Sequence, residues 1–90
     1  MEFDWDDKKA RANAAKHGVT FHEAASVFGD SLALTFQDPD HSTREDRFLT
    51  FGQSISGRLL AVIHTARGAS IRIISARPAT RRERKIYEEG

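Results

Sequence analysis

Three apolar stretches follow one another in the second half of the chain, and their spacing limits the fold more than any other feature. They read RFLTFGQ, RLLAVIHT and SIRIISAR, and they are separated by the short segments SISG and ARGA. Runs rich in β-branched and aromatic residues favour strands, and connections this short favour hairpins. The earlier stretch SLALTF has the same character. The pattern therefore predicts a four-stranded antiparallel sheet.

Helical segments flank this predicted sheet on both sides in the sequence. DKKARANAAKH is rich in helix-forming alanine, begins at an aspartate pair suited to N-capping, and stops at Gly18. The capping-box spacings of Thr20 with Glu23 and of Thr80 with Glu83 predict a second helix and a C-terminal helix. EFDW near the N-terminus fits a short strand or a hydrophobic staple. The predicted fold class is α+β: two N-terminal helices, a four-stranded antiparallel sheet and a C-terminal helix.

Length and composition fit one globular domain covering residues 1–90, with 39% hydrophobic and 30% charged residues. No apolar run reaches the roughly 20 residues that a membrane helix needs, and no secretory signal is visible, so we expect a cytoplasmic protein. The absence of cysteine excludes disulfides and thiolate metal sites. The four histidines lack metal-ligand spacing, and there is no phosphate-cradling glycine loop or dinucleotide fingerprint. We therefore expect no metal and no cofactor.

The charge is distributed unevenly, although the whole chain carries only +1. Residues 1–46 carry a net −5 and residues 47–90 a net +6. The segment SARPATRRERK alone holds four arginines and a lysine against one acid. This asymmetry predicts a basic working surface built by the second half of the chain. The alternative is that folding interleaves the two halves and cancels the field.

The SARPATRRERK segment joins the last predicted strand to the last helix. Strict alternation would place residues 71, 73, 75 and 77 on one face, with Arg77 emerging at the sheet edge. The backbone N–H groups that begin the next helix attract anions. Arg77, Arg81 and Arg82 with this helix end therefore predict a phosphate site. The alternative is a solvated basic helix.

Other side chains are candidates for chemistry. His17, in the last turn of the first helix, could transfer protons or simply cap the helix. Glu45 could act as a base or pair with an arginine, and His64 is better explained as a strand-end or core histidine. Further arginines lie along the predicted strands and the last helix and are predicted to contact a polyanion such as RNA: Arg47, Arg58, Arg72 and Arg84.

These motifs together resemble a known family. FDWD, NAAKHGVTFHEAASVF, the DPDH loop, EDRFLTFG, IRIISAR and RRERKIYE resemble the BrnT toxins over nearly the whole chain. The resemblance implies a RelE-like fold and a ribonuclease that inhibits translation. It also implies inhibition by a BrnA-like antitoxin with a ribbon-helix-helix DNA-binding domain, in a complex of two toxins and two antitoxins. The matching KHG and SAR motifs make Lys16, His17 and Arg77 the candidate catalytic residues. The RRER motif adds Arg81, Arg82 and Arg84 as substrate or partner contacts.

The expected reaction needs no metal, because the 2′-hydroxyl of RNA can attack the adjacent phosphate. Arg77 would stabilise the developing charge, and His17, aided by Lys16, would transfer protons, with Glu45 a weaker candidate for the base. The alternative is a non-catalytic module that binds nucleic acid or a protein partner through the same basic face.

Overall fold

The computed structural model describes residues 1–38 and 46–90. Within them, five strands, three helices and a 3-10 turn follow the chain in a fixed order. These are β1 (Glu2–Asp4), α1 (Asp7–His17), α2 (Phe21–Ser26), the 3-10 turn (Val27–Gly29), β2 (Leu34–Gln37), β3 (Arg47–Gln53), β4 (Leu59–Arg67), β5 (Ser70–Pro78) and α3 (Arg81–Glu89). Both predicted N-terminal helices and the C-terminal helix are present. No helix in the described part of the chain is long and apolar enough to cross a membrane.

The sheet has the order β1-β5-β4-β3-β2, and β2 to β5 form the predicted antiparallel meander. The prediction of four strands is wrong by one. β1 pairs in parallel with the start of β5, with Phe3 opposite Ile71, so the sheet is mixed and five-stranded. EFDW fits a short strand, but nothing local in the sequence indicates its parallel partner, which lies almost at the other end of the chain.

The helix ends follow their sequence signals closely. The Asp6 side chain accepts hydrogen bonds from the first backbone N–H groups of α1, and Gly18 ends that helix with φ +68°. The Thr20 hydroxyl accepts from the backbone N–H of Glu23 at 3.0 Å. Thr80 and Glu83 form both halves of a capping box at the start of α3. These local contacts are why the helices begin where the sequence predicts.

One face of the sheet, called here the helix face, packs against α1 and α2. Its core consists of the buried residues Val19, Phe21, Ala24, Val27, Leu60, Val62, Ile73 and Ala76. The 3-10 turn lies so close to β3 that a Cβ on Gly52 would come within 2.6 Å of the Val27 side chain. Only glycine fits at that crossing without displacing the turn.

A β-bulge changes the predicted facing of β5. Ile63 pairs with Ser75 while His64 pairs with Ile73, so Ile74 is an extra residue in β5. Ile73 and Ala76, three apart, therefore both reach the core of the helix face. The prediction that residue 77 shares a face with residues 71 and 73 is wrong. Arg77 pairs with Ala61 and points to the opposite side, called here the second face, together with Arg72.

Candidate functional site

Arg77 is fixed by a two-pronged ion pair with Glu83. Arg77 Nη1 donates to Glu83 Oε1 at 2.7 Å, and Nη2 donates to Oε2 at 2.8 Å. The hydrogen bond to Arg77 lowers the pKa of Glu83, and the same contact raises the pKa of Arg77. The Arg77 side chain keeps 36% of its surface exposed. Nη1 also donates to the Pro78 carbonyl at 3.4 Å, and among the described residues the Nε–H has no acceptor, so the Nε edge of the guanidinium is not used by a described partner.

Glu83 holds Arg77 and the start of α3 at the same time. Its Oε1 also accepts from the backbone N–H of Thr80 at 2.9 Å, and its own N–H donates to the Thr80 hydroxyl. The sequence identified Glu83 as a capping residue but missed its contact with Arg77. A signal was present: a capping-box glutamate folds back toward the residues before its helix, and Arg77 lies just before the Pro78 turn.

Unlike Arg77, which lies in β5, the three arginines of α3 are exposed to solvent. These are Arg81, Arg82 and Arg84. The opposite side of α3 contacts the rest of the protein through Glu83 and through Tyr87, whose hydroxyl donates to Asp30 Oδ2 at 2.6 Å. The predicted pocket of converging guanidinium groups is therefore divided. Arg77 lies at the sheet, and the α3 arginines form an exposed basic helix surface beside it.

Two strand-region arginines are bound to carboxylates. Arg58 donates to both oxygens of Glu23 and to the carbonyl of Gly18. The hydrogen bonds to the carboxylate, above all those from Arg58, lower the pKa of Glu23 to about 2. Arg72 Nη1 donates to Asp4 Oδ1 at 2.9 Å and so ties β5 to β1. Both contacts hold elements of the fold together. RNA binding by Arg58 and Arg72 stays a prediction.

Arg47 lies on the same row of the sheet as Arg72. The register places Arg47 opposite Thr65, and Thr65 opposite Arg72, so both guanidinium groups belong to the second face. Arg47 is half-buried. The second face therefore carries three of the predicted site arginines: Arg47 on β3, and Arg72 and Arg77 on β5, with β4 between the two strands.

Lys16 and His17 lie at the C-terminal end of α1, beside the bulge in β5. They line an open cleft of about 230 Å³ together with Lys9, Ile74 and Ser75. Ser75 pairs with Ile63 and is two residues from Arg77 on the same side of β5. The candidate catalytic residues are thus split by β5: Lys16 and His17 flank its edge, and Arg77 lies on the second face.

Asn13 maintains the β5 edge at which this cleft opens. Its side-chain amide donates to the carbonyls of Val19 and Ala76 at 3.0 and 2.8 Å, and its oxygen accepts from the Ala76 N–H at 3.1 Å. β1 pairs with residues 70–72, and Asn13 supplies hydrogen bonds farther along the same edge. Sequence reasoning missed this residue, because an asparagine within a helix carries no signal of a partner 63 positions away.

His64 is a core residue, as predicted. It is 7% exposed, with Nε2 at 2.7 Å from the Thr50 hydroxyl and its ring edge-on to Phe28. Burial lowers its pKa to about 4. Within residues 1–38 and 46–90, no three carboxylate or histidine side chains are grouped to hold a metal ion. Glu45 and most of the predicted polar loop, including DPDH after Asp38, lie outside the described residues.

Comparison with known proteins agrees with this architecture. The family model described as "Ribonuclease toxin, BrnT, of type II toxin-antitoxin system" matches residues 5–83. The crystal structure of the Brucella abortus ribonuclease toxin BrnT matches with a TM-score of 0.69 and 28% sequence identity, covering 90% of this chain and 99% of that chain. A search of curated protein sequences finds no match. Because the family model spans most of the chain, and a solved member has the same fold, this protein belongs to the BrnT family of ribonuclease toxins of type II toxin–antitoxin systems.

Proposed function

We propose that this chain is an endoribonuclease that cleaves RNA without a metal and so inhibits translation. The substrate's 2′-hydroxyl loses its proton and attacks the adjacent phosphorus, the bond from phosphorus to the 5′-oxygen of the next nucleotide breaks, and that oxygen takes up a proton as it leaves. The observation that supports this most directly is the Arg77–Glu83 pair. It fixes a guanidinium with one hydrogen-bonding edge turned away from its carboxylate partner. A fixed, charged donor is what a phosphorane-like transition state requires.

Arg77 would stabilise charge on the scissile phosphate. The Glu83 carboxylate accepts one hydrogen from Nη1 and one from Nη2 at the end of the guanidinium. The Nε–H and the second Nη2 hydrogen, which lie together on the adjacent edge, are therefore available to a substrate. Two parallel donors on one edge match two phosphate oxygens. The carboxylate reduces the net charge of the pair, but it removes the entropy cost of orienting a long side chain at the moment of reaction.

Proton transfer would come from the other side of β5. Imidazole is the side chain best suited to moving protons near neutral pH, and His17 shares its cleft with Lys9 and Lys16, which attract phosphate. An RNA strand that crosses the β5 edge at Ser75 would place one phosphate toward Arg77 and its neighbour in the cleft. Glu45 stays a weaker candidate for the base. The exposed Arg81, Arg82 and Arg84 would hold the flanking strand.

The experiment is RNA cleavage by the purified chain, with Arg77→Ala and Arg77→Lys compared in excess EDTA. We expect cleavage to persist in EDTA, to be lost in Arg77→Ala and to be mostly lost in Arg77→Lys, which keeps the charge but not the two-donor edge. Cleavage by folded Arg77→Ala would remove this residue from the mechanism, and inhibition by EDTA would contradict the metal-free reaction. RNA that is shifted on a gel by wild type but never shortened would establish the non-catalytic binding module instead.

The antitoxin would be a BrnA-like protein with a ribbon-helix-helix DNA-binding domain, in a complex of two toxins and two antitoxins. The exposed arginines of α3 favour an acidic partner on the surface that RNA also needs. We expect growth arrest on induction of this chain and rescue by co-expression of the neighbouring gene. Competition between that partner and RNA for the wild-type chain would test occlusion directly.

A further inference from the structure

The two edges of the sheet differ in how they are protected against pairing with other chains. β1, at one edge, carries the acids Glu2 and Asp4, and charge is one of the devices by which proteins block edge-to-edge association. Within the described residues, β2 at the other edge is flanked by Asp30 and Asp38 but carries no charged side chain of its own. The stretch from Ser31 to Gln37, SLALTFQ, contains no charged residue, no proline and no glycine, in a chain that is 30% charged.

The unprotected edge also exposes large apolar side chains. Phe36 in β2 is 44% exposed, and Leu32 just before it is 68% exposed. Phe36 contacts Phe51 of β3 with ring centroids 5.7 Å apart, so its ring is held in place rather than free. Among residues 1–38 and 46–90, no strand pairs with the outer side of β2.

The register shows which backbone groups this edge offers. The N–H of Asp38 donates to the carbonyl of Arg47 at 2.8 Å, which makes these two a hydrogen-bonded pair of the β2–β3 ladder. Because such pairs alternate, Leu34 and Phe36 also direct their backbone groups toward β3. Thr35 and Gln37 then direct their N–H and C=O groups outward.

We propose that this edge is an interaction surface for a second copy of the chain, paired antiparallel through β2 about a twofold axis at Thr35. In that register, the backbone N–H of each Thr35 donates to the backbone carbonyl of the other Thr35. The Gln37 N–H of each copy bonds to the Ala33 carbonyl of the other. Leu34 of one copy then lies beside Phe36 of the other, which covers the exposed ring.

The chemistry of the segment selects a second copy over a different partner. A twofold strand pair sets a segment against itself, so any central charge would meet a like charge. SLALTFQ contains none, and it offers nothing to attract a charged segment of another protein. The paired strands are short, so the contact belongs to the small, concentration-dependent class of interfaces.

Sedimentation of the full chain over a wide concentration range tests the association. We expect the wild type to move from the monomer mass toward twice that mass. Thr35→Lys and Thr35→Glu each place like charges at the twofold axis and should stay monomeric. An equal mixture of the two variants should recover the dimer, because opposite charges then meet. Failure of the mixture to associate, or a persistent Thr35→Lys dimer, would overturn the proposal.

A cysteine variant keeps the test decisive if the charged variants fold poorly. Opposed residues of a hydrogen-bonded antiparallel pair have Cα atoms about 5.5 Å apart, which a disulfide spans. The chain has no other cysteine, so Thr35→Cys should form a covalent dimer under mild oxidation. Ile55→Cys, at a position on the β3–β4 turn that is 88% exposed, should not. Equal cross-linking of both, or a monomeric Thr35→Cys, would show that β2 is not the contact.

Discussion

At the residue scale, the candidate site depends on how carboxylates hold arginines. Glu83 orients Arg77 with two short hydrogen bonds, whereas Asp4 and Glu23 use Arg72 and Arg58 to join parts of the fold. The Asp4–Arg72 and Glu23–Arg58 pairs have no sequence motif, because each joins residues that are far apart in the chain, whereas the capping box at Thr80 gave an indirect signal for the Arg77–Glu83 pair. The sequence analysis assigned all these arginines to one basic surface, and it did not separate those that carboxylates bind from those that stay exposed.

Glu83→Gln tests whether the orientation of Arg77 matters for cleavage. A glutamine side chain accepts from Arg77 through one atom only and turns an N–H donor toward the guanidinium, so the fixed geometry is lost. We expect RNA cleavage to fall about tenfold, equivalent to ~1.4 kcal/mol, with little change in RNA affinity. The measurement is single-turnover cleavage alongside binding. Glu88→Gln, exposed farther along α3, is the matched control and should cleave at the wild-type rate.

His64 predicts a dependence of stability on pH. Burial lowers its pKa from 6.5 to about 4, so below pH 6.5 the unfolded chain binds a proton that the folded chain excludes. The free energy of unfolding should therefore fall as pH drops, by about 2 kcal/mol between pH 7 and pH 5. Glu23, whose pKa falls from 4.5 to about 2, loses its contribution only at lower pH. Urea unfolding at a series of pH values measures this loss.

His64→Gln separates the histidine from the rest of the protein. Glutamine can still bond to the Thr50 hydroxyl but does not titrate in this range. The loss of stability between pH 7 and pH 5 should shrink in His64→Gln and remain in His22→Gln, which changes an exposed histidine. An unchanged slope in His64→Gln would assign the effect to other groups.

At the element scale, sequence reasoning succeeded where the signal is local. The caps of α1, α2 and α3 and the hairpin order of β2 to β5 follow from neighbouring residues. It failed where the signal is distant. The bulge at Ile74 depends on how β5 meets β4, and it reverses the side to which Arg77 points. The parallel pairing of β1 depends on a strand that lies at the far end of the sequence.

Asn13 joins two of these elements, and its substitution is expected to be costly. Asn13→Asp keeps the shape but removes both hydrogens that are donated to the carbonyls of Val19 and Ala76, and it buries a charge. We expect a loss of about 2–4 kcal/mol in the free energy of unfolding, measured in urea. Asn13→Ala should cost a similar amount. Ala12→Ser, exposed on the same helix, is the control and should change stability by less than about 1 kcal/mol.

At the scale of the whole molecule, the charge asymmetry between the two halves is partly cancelled. Glu23 and Asp4 from the acidic first half neutralise Arg58 and Arg72 from the basic second half. The expected basic surface is therefore smaller than predicted, although Arg67 at the end of β4 and the three arginines of α3 stay exposed. Folding therefore cancels part of the charge of the second half and leaves part of it exposed. The sequence alone could not divide these two parts, because the ion pairs between the halves depend on tertiary contacts.

Salt dependence measures how much of this surface meets RNA. Each phosphate neutralised on a single strand contributes about 0.7 to the slope of log affinity against log salt. Arg82→Ala should reduce that slope by about 0.7 without lowering stability, because the side chain is exposed on α3. Lys8→Ala, exposed at the start of α1, is the matched control. An unchanged slope in Arg82→Ala would place RNA elsewhere on the molecule.

The parallel strand β1 and the Asn13 contact have a consequence for synthesis. Phe3 can pair with Ile71, and Asn13 can bond to Ala76, only after these later residues have been synthesised. β1 and α1 therefore cannot complete their tertiary contacts until β5 has been made. The carboxylate partner of Arg77 is made later still. We therefore expect the candidate site to form only after Glu83 has left the ribosome, because before then no carboxylate orients Arg77.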